Sequence, residues 1–101
     1  MARLLLQSGG YEVVGEAASA TEAVARARDL VPELVLLDVL LPDGNGADVA
    51  RTLADLPNPP GVVLTSSYPQ GGFGAQLSTL PVIGFVPKEQ LTVARLTELF
   101  G

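Results

Sequence analysis

Two absences narrow the chemistry before any pattern is considered. The 101-residue chain has no cysteine, which excludes disulfides and thiolate metal sites, and no histidine, which removes the commonest metal ligand and general base. Cationic charge is also scarce. Six Lys and Arg face eleven Asp and Glu, for a net charge of -5, and Arg3, Arg26, Arg28, Arg51, Lys88 and Arg95 are scattered rather than gathered into a stripe. Binding nucleic acid requires a basic face that neutralises phosphates, so no direct role of that kind is expected. No apolar run approaches the roughly 20 residues that span a bilayer, and no basic segment with a long apolar stretch and cleavage site opens the chain. The expectation is a soluble, cytoplasmic protein with no membrane partner.

What is present suits one small domain: 48% of the residues are hydrophobic, enough for a single core. ARLLLQS at residues 2 to 8 reads as a short helix stopped by Gly9-Gly10. YEVVGEA, from Tyr11 to Ala17, is β-branched and aromatic enough for a strand, and Ser19 to Glu22 has the spacing of a helix capping box. Ala23, Val24, Ala27, Leu30 and Val31 then fall near one helical face, and Pro32 ends the helix. The four consecutive apolar residues in ELVLLD, from Glu33 to Asp38, predict a central parallel strand covered on both faces.

The loop VLLPDGNG leads to a helix over about Ala47 to Leu56 that buries Val49, Leu53 and Leu56. VVLTSS, from Val62 to Ser67, resumes as a strand that turns polar at its end, and residues 68 to 81 are expected to be the loosest unit. Val82 to Val86 makes a last strand, after which Thr92 caps a helix with Leu91 and Leu96 spaced as a hydrophobic staple. The alternation implies an α/β fold with a parallel, doubly wound sheet and right-handed crossovers.

Ligands of such sheets gather outside the carboxyl ends of the strands, where Asp38, Thr65 and Lys88, the only lysine, stand at three consecutive strand ends. A carboxylate, a hydroxyl and an ammonium suit phosphoryl chemistry: the first can attack phosphorus and the others can hold its anionic oxygens. Taken singly, each has a plainer reading, Asp38 as a turn residue, Thr65 as a β-former and Lys88 as a solvated charge. The joint placement favours a site. Phe85 reads on its own as a core aromatic, Asp43 as a turn residue outside the site, and Asp48 as a first-turn helix charge.

LLDVLLPDGNG resembles the phosphoacceptor motif of the response-regulator (CheY-like) receiver domains of bacterial two-component systems, and LTSS and GFVPK resemble that family's fourth- and fifth-strand motifs. The resemblance runs in order along nearly the whole chain. It implies a flavodoxin-like fold in which Asp38 is the phosphoacceptor, Thr65 the hydroxyl that turns toward the phosphoryl group, Lys88 its charge partner and Phe85 the switch aromatic. It further implies Mg2+ held by Asp38 and the Leu40 backbone carbonyl. A histidine kinase or phosphotransfer protein would be the donor, and a downstream protein would dock on the last two helices and last strand.

Receiver domains begin with a further central strand ending in an acidic pair that supplies most of the magnesium site, and neither has a counterpart in this reading. Residues 1 to 101 are therefore expected to be a receiver domain truncated to about four strands, with a gap between 12–17 and 34–38, weak or absent Mg2+ binding and no output domain. Either a longer natural product begins upstream, the reading favoured by the joint presence of Asp38, Thr65 and Lys88, or the domain has become a phosphorylation-independent interaction module. A smaller departure is Glu89, where many family members have proline. An enzyme alternative, a haloacid-dehalogenase-like phosphatase, needs a second aspartate two positions after the nucleophile, and that position is Leu40. The expectation is no enzyme beyond self-catalysed phosphorylation and dephosphorylation.

Overall fold

Leu34–Asp38 (β3) is the strand on which the architecture is built. Its first four residues are all buried, Val35 and Leu37 toward one face of the sheet and Leu34 and Leu36 toward the other. Burying each such side chain contributes roughly 1.5–3 kcal/mol, so a strand apolar on both faces belongs in the middle. The computed structural model of the protein describes residues 2–7, 11–66 and 81–100.

On one side β3 pairs in parallel with Gly61–Ser66 (β6), which pairs in parallel with Gly84–Pro87 (β7). On the other side lies Ala2–Gln7 (β1), running antiparallel to β3 and to Tyr11–Ala17 (β2). The order β2-β1-β3-β6-β7 gives five strands rather than about four, and a mixed α/β sheet. Leu40–Leu41 (β4) and Gly44–Asn45 (β5) form a separate two-stranded ladder. Ala20–Leu30 (α1) and Gly46–Ala54 (α2) cover one face, and Val93–Phe100 (α3) contributes Leu96 and Leu99 to the other. No helix among the described residues is long and apolar enough to cross a membrane.

The opening segment corrects the sequence-based expectation. Residues 2–7 are a strand, not a helix, and they close the gap expected between the strands at 12–17 and 34–38. A short apolar run has no period that distinguishes helix from strand. What decides is the open edge of β3: its backbone N–H and C=O groups, buried without a neighbour, would each lose a hydrogen bond. Ladder pairing with β1 supplies those bonds, while Leu4 packs into one face and Leu5 into the other, at 0% and 3% exposure. Beyond the ladder, Glu33 N–H donates to Leu5 O at 2.9 Å.

Elsewhere the local signals perform as read, with small shifts. Ser19 Oγ accepts from Glu22 N–H at 3.1 Å, but the Glu22 carboxylate reaches the Ala18 N–H at 3.3 Å rather than that of the cap residue. Ala23 and Ala27 are buried and Val24 packs against them, whereas Leu30 and Val31 are exposed. Thr92 Oγ1 accepts from Arg95 N–H at 3.1 Å, and Leu91 and Leu96 share one apolar cluster. Most of the segment expected to be loosest, and the glycines at 9 and 10, lie outside the described residues.

Asp43 has a role that its place in a turn did not reveal. Its carboxylate accepts from Ala20 N–H at 2.6 Å, Thr21 N–H at 3.2 Å and Thr21 Oγ1 at 3.0 Å, so it ties the β4–β5 turn to the start of α1. These bonds, Ala20 first and Thr21 next, hold its pKa below the ordinary 3.8. A depressed carboxylate stabilises the fold above its unfolded pKa, and that stability is lost as pH falls through the folded value. Asp43→Ala is expected to lower the melting temperature at pH 7 and to melt with a shallower acid dependence below about pH 3.8, where the wild type loses the bond set. Thermal melts between neutral pH and pH 2 check both. At the other end of α1, Val31 is held at φ 47 and ψ 59, a left-handed conformation unfavourable for a β-branched residue. Val31→Asn, which keeps the N–H bond to Ala27 O, should stabilise by about 1 kcal/mol in urea denaturation.

Candidate functional site

The parallel register of β3 and β6 sets Asp38 directly beside Thr65, and Val39 N–H donates to Thr65 O at 3.0 Å just beyond the ladder. In the same way β6 and β7 pair Ser66 with Pro87, so Lys88 emerges at the same edge of the sheet. Its ammonium lies 3.1 Å from Asp38 Oδ2. Three residues separated by up to 50 positions thus meet through strand register, without any local motif joining them.

The burial of the three differs in a chemically useful way. The Asp38 side chain is 22% exposed and the Lys88 side chain 48%, so the pair is open to reagents, and solvent screens its attraction. Thr65 is 3% exposed, and its Oγ1 is buried without a hydrogen-bond partner among the described residues. A buried hydroxyl without a partner costs free energy that an arriving acceptor can recover. Asp38, Thr65 and Lys88 line a cleft of about 340 Å3 together with Arg3, Leu36 and Leu91. The cleft lies on the α3 side of the sheet, the side onto which Leu34, Leu36 and Val63 face.

The turn after β3 is shaped by one close approach. Gly46 N–H donates to Val39 O at 2.7 Å, and a Cβ at position 46 would come within 2.6 Å of Asp38 O and 2.9 Å of Leu64 Cδ2. The sequence marks Gly46 as a turn former. Its function is instead to let α2 start against the end of β3, which fixes the backbone that carries Asp38. Asn45 caps α2, its Oδ1 accepting from Asp48 N–H at 2.9 Å, and Asp48 also pairs with Arg51 at 3.0 Å.

Leu40, expected to offer a carbonyl to a metal, pairs with Asn45 in the β4–β5 ladder. Magnesium demands near-octahedral oxygen ligands. Among the described residues no three or more His, Cys, Asp or Glu gather, Asp38 is the only carboxylate among those lining the cleft, and Arg3 is a further lining residue. As far as the described residues go, this donor set does not fit a divalent cation. Phe85 is half-buried and packs against the core cluster of the α1–α2 face, the opposite side of the sheet from the cleft. Arg3 is the lining residue that sequence reasoning missed. Read within a helix, it had no reason to approach Asp38; within a reversed strand, it sits at the edge where β3 ends.

Comparisons with known proteins establish the family and the fold. The family model of the response regulator receiver domain matches residues 1–99. The transcriptional regulatory protein PdtaR of Mycobacterium tuberculosis is 32% identical across 94% of this chain and 51% of that protein. The chemotaxis protein CheY of Thermotoga maritima is 30% identical across 69% of this chain and 58% of its own. The chain spans about half the length of the curated relatives it matches. Among solved structures, the signal receiver domain of the NarL response regulator of M. tuberculosis superposes with a TM-score of 0.73 at 28% identity, covering 86% of this chain and 69% of that one. With the family match over almost the full chain and the strand-end triad in register, the protein belongs to the response regulator receiver domain family of two-component signalling.

Proposed function

We propose that this receiver domain accepts a phosphoryl group on Asp38 from a phosphohistidine donor and changes its binding to a downstream protein as a result. The observation that carries the reading is the meeting of Asp38, the Thr65 hydroxyl, which has no partner among the described residues, and the Lys88 ammonium at one edge of the sheet. An Asp38 carboxylate oxygen attacks phosphorus in line, an O–P bond forms, and the N–P bond breaks with its electron pair leaving on the imidazole nitrogen. Lys88 neutralises charge on the transferred oxygens, and Thr65 Oγ1 donates to one of them. No external substrate is turned over, since the acyl phosphate stays on the chain until water cleaves it.

The conformational output follows from the competition for Lys88. In the present state its ammonium is paired with the bare carboxylate. Phosphorylation moves the negative charge outward onto the phosphoryl oxygens, and Lys88 and Thr65 move with it. Lys88 begins the 3-10 turn Lys88–Gln90, which leads through Leu91 to α3, so a shift at Lys88 is transmitted to that helix. Phe85, three residues earlier on β7, is the aromatic proposed to change packing. The last strand and α3 form the proposed docking face for the downstream partner. The other helix of that expected face falls outside the described residues.

Incubation with acetyl phosphate, with and without magnesium, followed by intact-mass measurement is expected to give one phosphoryl adduct on the wild type and none on Asp38→Asn. Partner capture should differ between the adduct and the untreated chain. Absence of an adduct under both conditions, or capture indifferent to Asp38→Asn, would refute the phosphoswitch.

A further inference from the structure

The cleft holds a second cation that the family resemblance does not account for. β1 runs antiparallel to β3, so its beginning, rather than its end, lies at the edge of the sheet where Asp38 and Thr65 stand. Arg3 is the partner of Leu36 in that ladder, on the same face of the sheet as Leu36 and Asp38, and it lines the cleft with both. Diagonal neighbours on adjacent strands lie about 7–8 Å apart, within reach of a long side chain. We propose that Arg3 and Lys88 form a two-cation clamp for the phosphoryl group on Asp38, so that the site takes a tetrahedral oxyanion with protein charge where a divalent ion would otherwise be needed.

Charge arithmetic supports the clamp. The bare Asp38 carboxylate carries one negative charge, matched by Lys88 at 3.1 Å. A phosphoryl group brings about -1.5 to -2 at neutral pH, more than one lysine can offset, and among the described residues no carboxylate set lines the cleft to hold a metal that would make up the difference. Arg3 supplies the second positive charge. A guanidinium is also the side chain whose planar fork matches two phosphoryl oxygens at once.

The plainer assignment for Arg3 is its cross-strand pair with Glu16, but that contact is long, 3.9 Å, with both side chains over half exposed. Exposed pairs of this kind hold weakly, so Arg3 is released toward a dianion at little cost. The third element is Thr65 Oγ1, 97% buried by its residue's exposure of 3% and without a partner among the described residues, a donor awaiting an acceptor in the same cleft. One dianion would engage all three.

The clamp rests on the phosphoacceptor reading for its substrate, so its test carries one arm that does not need phosphoryl transfer. In that arm, inorganic phosphate is titrated in EDTA into Asp38→Asn and into Asp38→Asn combined with Arg3→Ala, followed by 15N–1H NMR. Removal of the carboxylate leaves both cations for the added anion. Binding by the first, weakened about tenfold or more in the second, is the expected result. In the other arm, acetyl phosphate in EDTA is expected to modify the wild type at least about tenfold faster than Arg3→Ala, with partial rescue in Arg3→Lys, which keeps the charge and loses the fork. Phosphate binding indifferent to Arg3, or an adduct that requires magnesium and ignores Arg3, would overturn the clamp while leaving Asp38 as phosphoacceptor. Arg3-dependent phosphate binding with no adduct in any condition would uphold the anion site and overturn the phosphoacceptor instead.

Discussion

Everything in this domain depends on the burial of β3 on both faces. Because Leu34 to Leu37 are apolar without alternation, the strand needs a helical layer on each side and a hydrogen-bonded neighbour on each edge. The parallel partner β6 then brings Thr65 level with Asp38, and the second parallel partner brings Lys88 to the same edge. The site is therefore a by-product of core register. A one-residue slip of β6 would turn Val63 out of its cluster and Thr65 away from Asp38 together, so packing and chemistry stabilise the same alignment.

The two sides of the sheet divide their tasks accordingly. Toward α1 and α2 lies the larger core, with Val35, Leu37, Val62 and Leu64 packed on Ala23, Ala27, Val49 and Leu53, and Phe85 leaning against it. Toward α3 lies a smaller cluster, and the cleft opens at its polar end, where Leu36 and Leu91 meet Asp38, Thr65 and Lys88. The large core anchors the backbone of the site through Gly46, whose close approach to Asp38 O ties the start of α2 to the end of β3. At the polar end of the cleft, Asp38 and Lys88 are held to each other by charge rather than by packing. The proposed switch requires such an arrangement: a fixed backbone under polar groups that can rearrange when charge is added.

The sequence made the parallel half of the molecule legible because there each local signal and the global fold agree. Glu33–Asp38 and Val62–Ser67 are apolar runs bounded by turn residues, Ser19 and Thr92 cap helices, and the polar ends of the strands mark the candidate site. Two things were hidden. Residues 2–7 carry no period, and their state is decided by the unpaired edge of a strand about thirty residues away, which is information no local window contains. Asp43 looks like a turn residue and is one, but its partners are Ala20 and Thr21, far back in the chain. Arg3 was missed as a consequence of the first error, since only a strand delivers it to the cleft.

The reversed strand also separates what a sheet needs from what its edge does. The interior is indifferent to direction: β1 run antiparallel still satisfies the hydrogen-bonding edge of β3, and Leu4 and Leu5 still fill both faces. The edge is not indifferent, because the direction of a strand decides whether its first or its last residues stand among the functional groups. A parallel strand in this position would present its own C-terminal residues beside Asp38. The antiparallel one presents Ala2 and Arg3, so a basic group enters a site whose parallel strands end in an acid and a hydroxyl. Strand polarity, which the core energetics barely register, therefore sets the sign of the charge that β1 brings to the cleft.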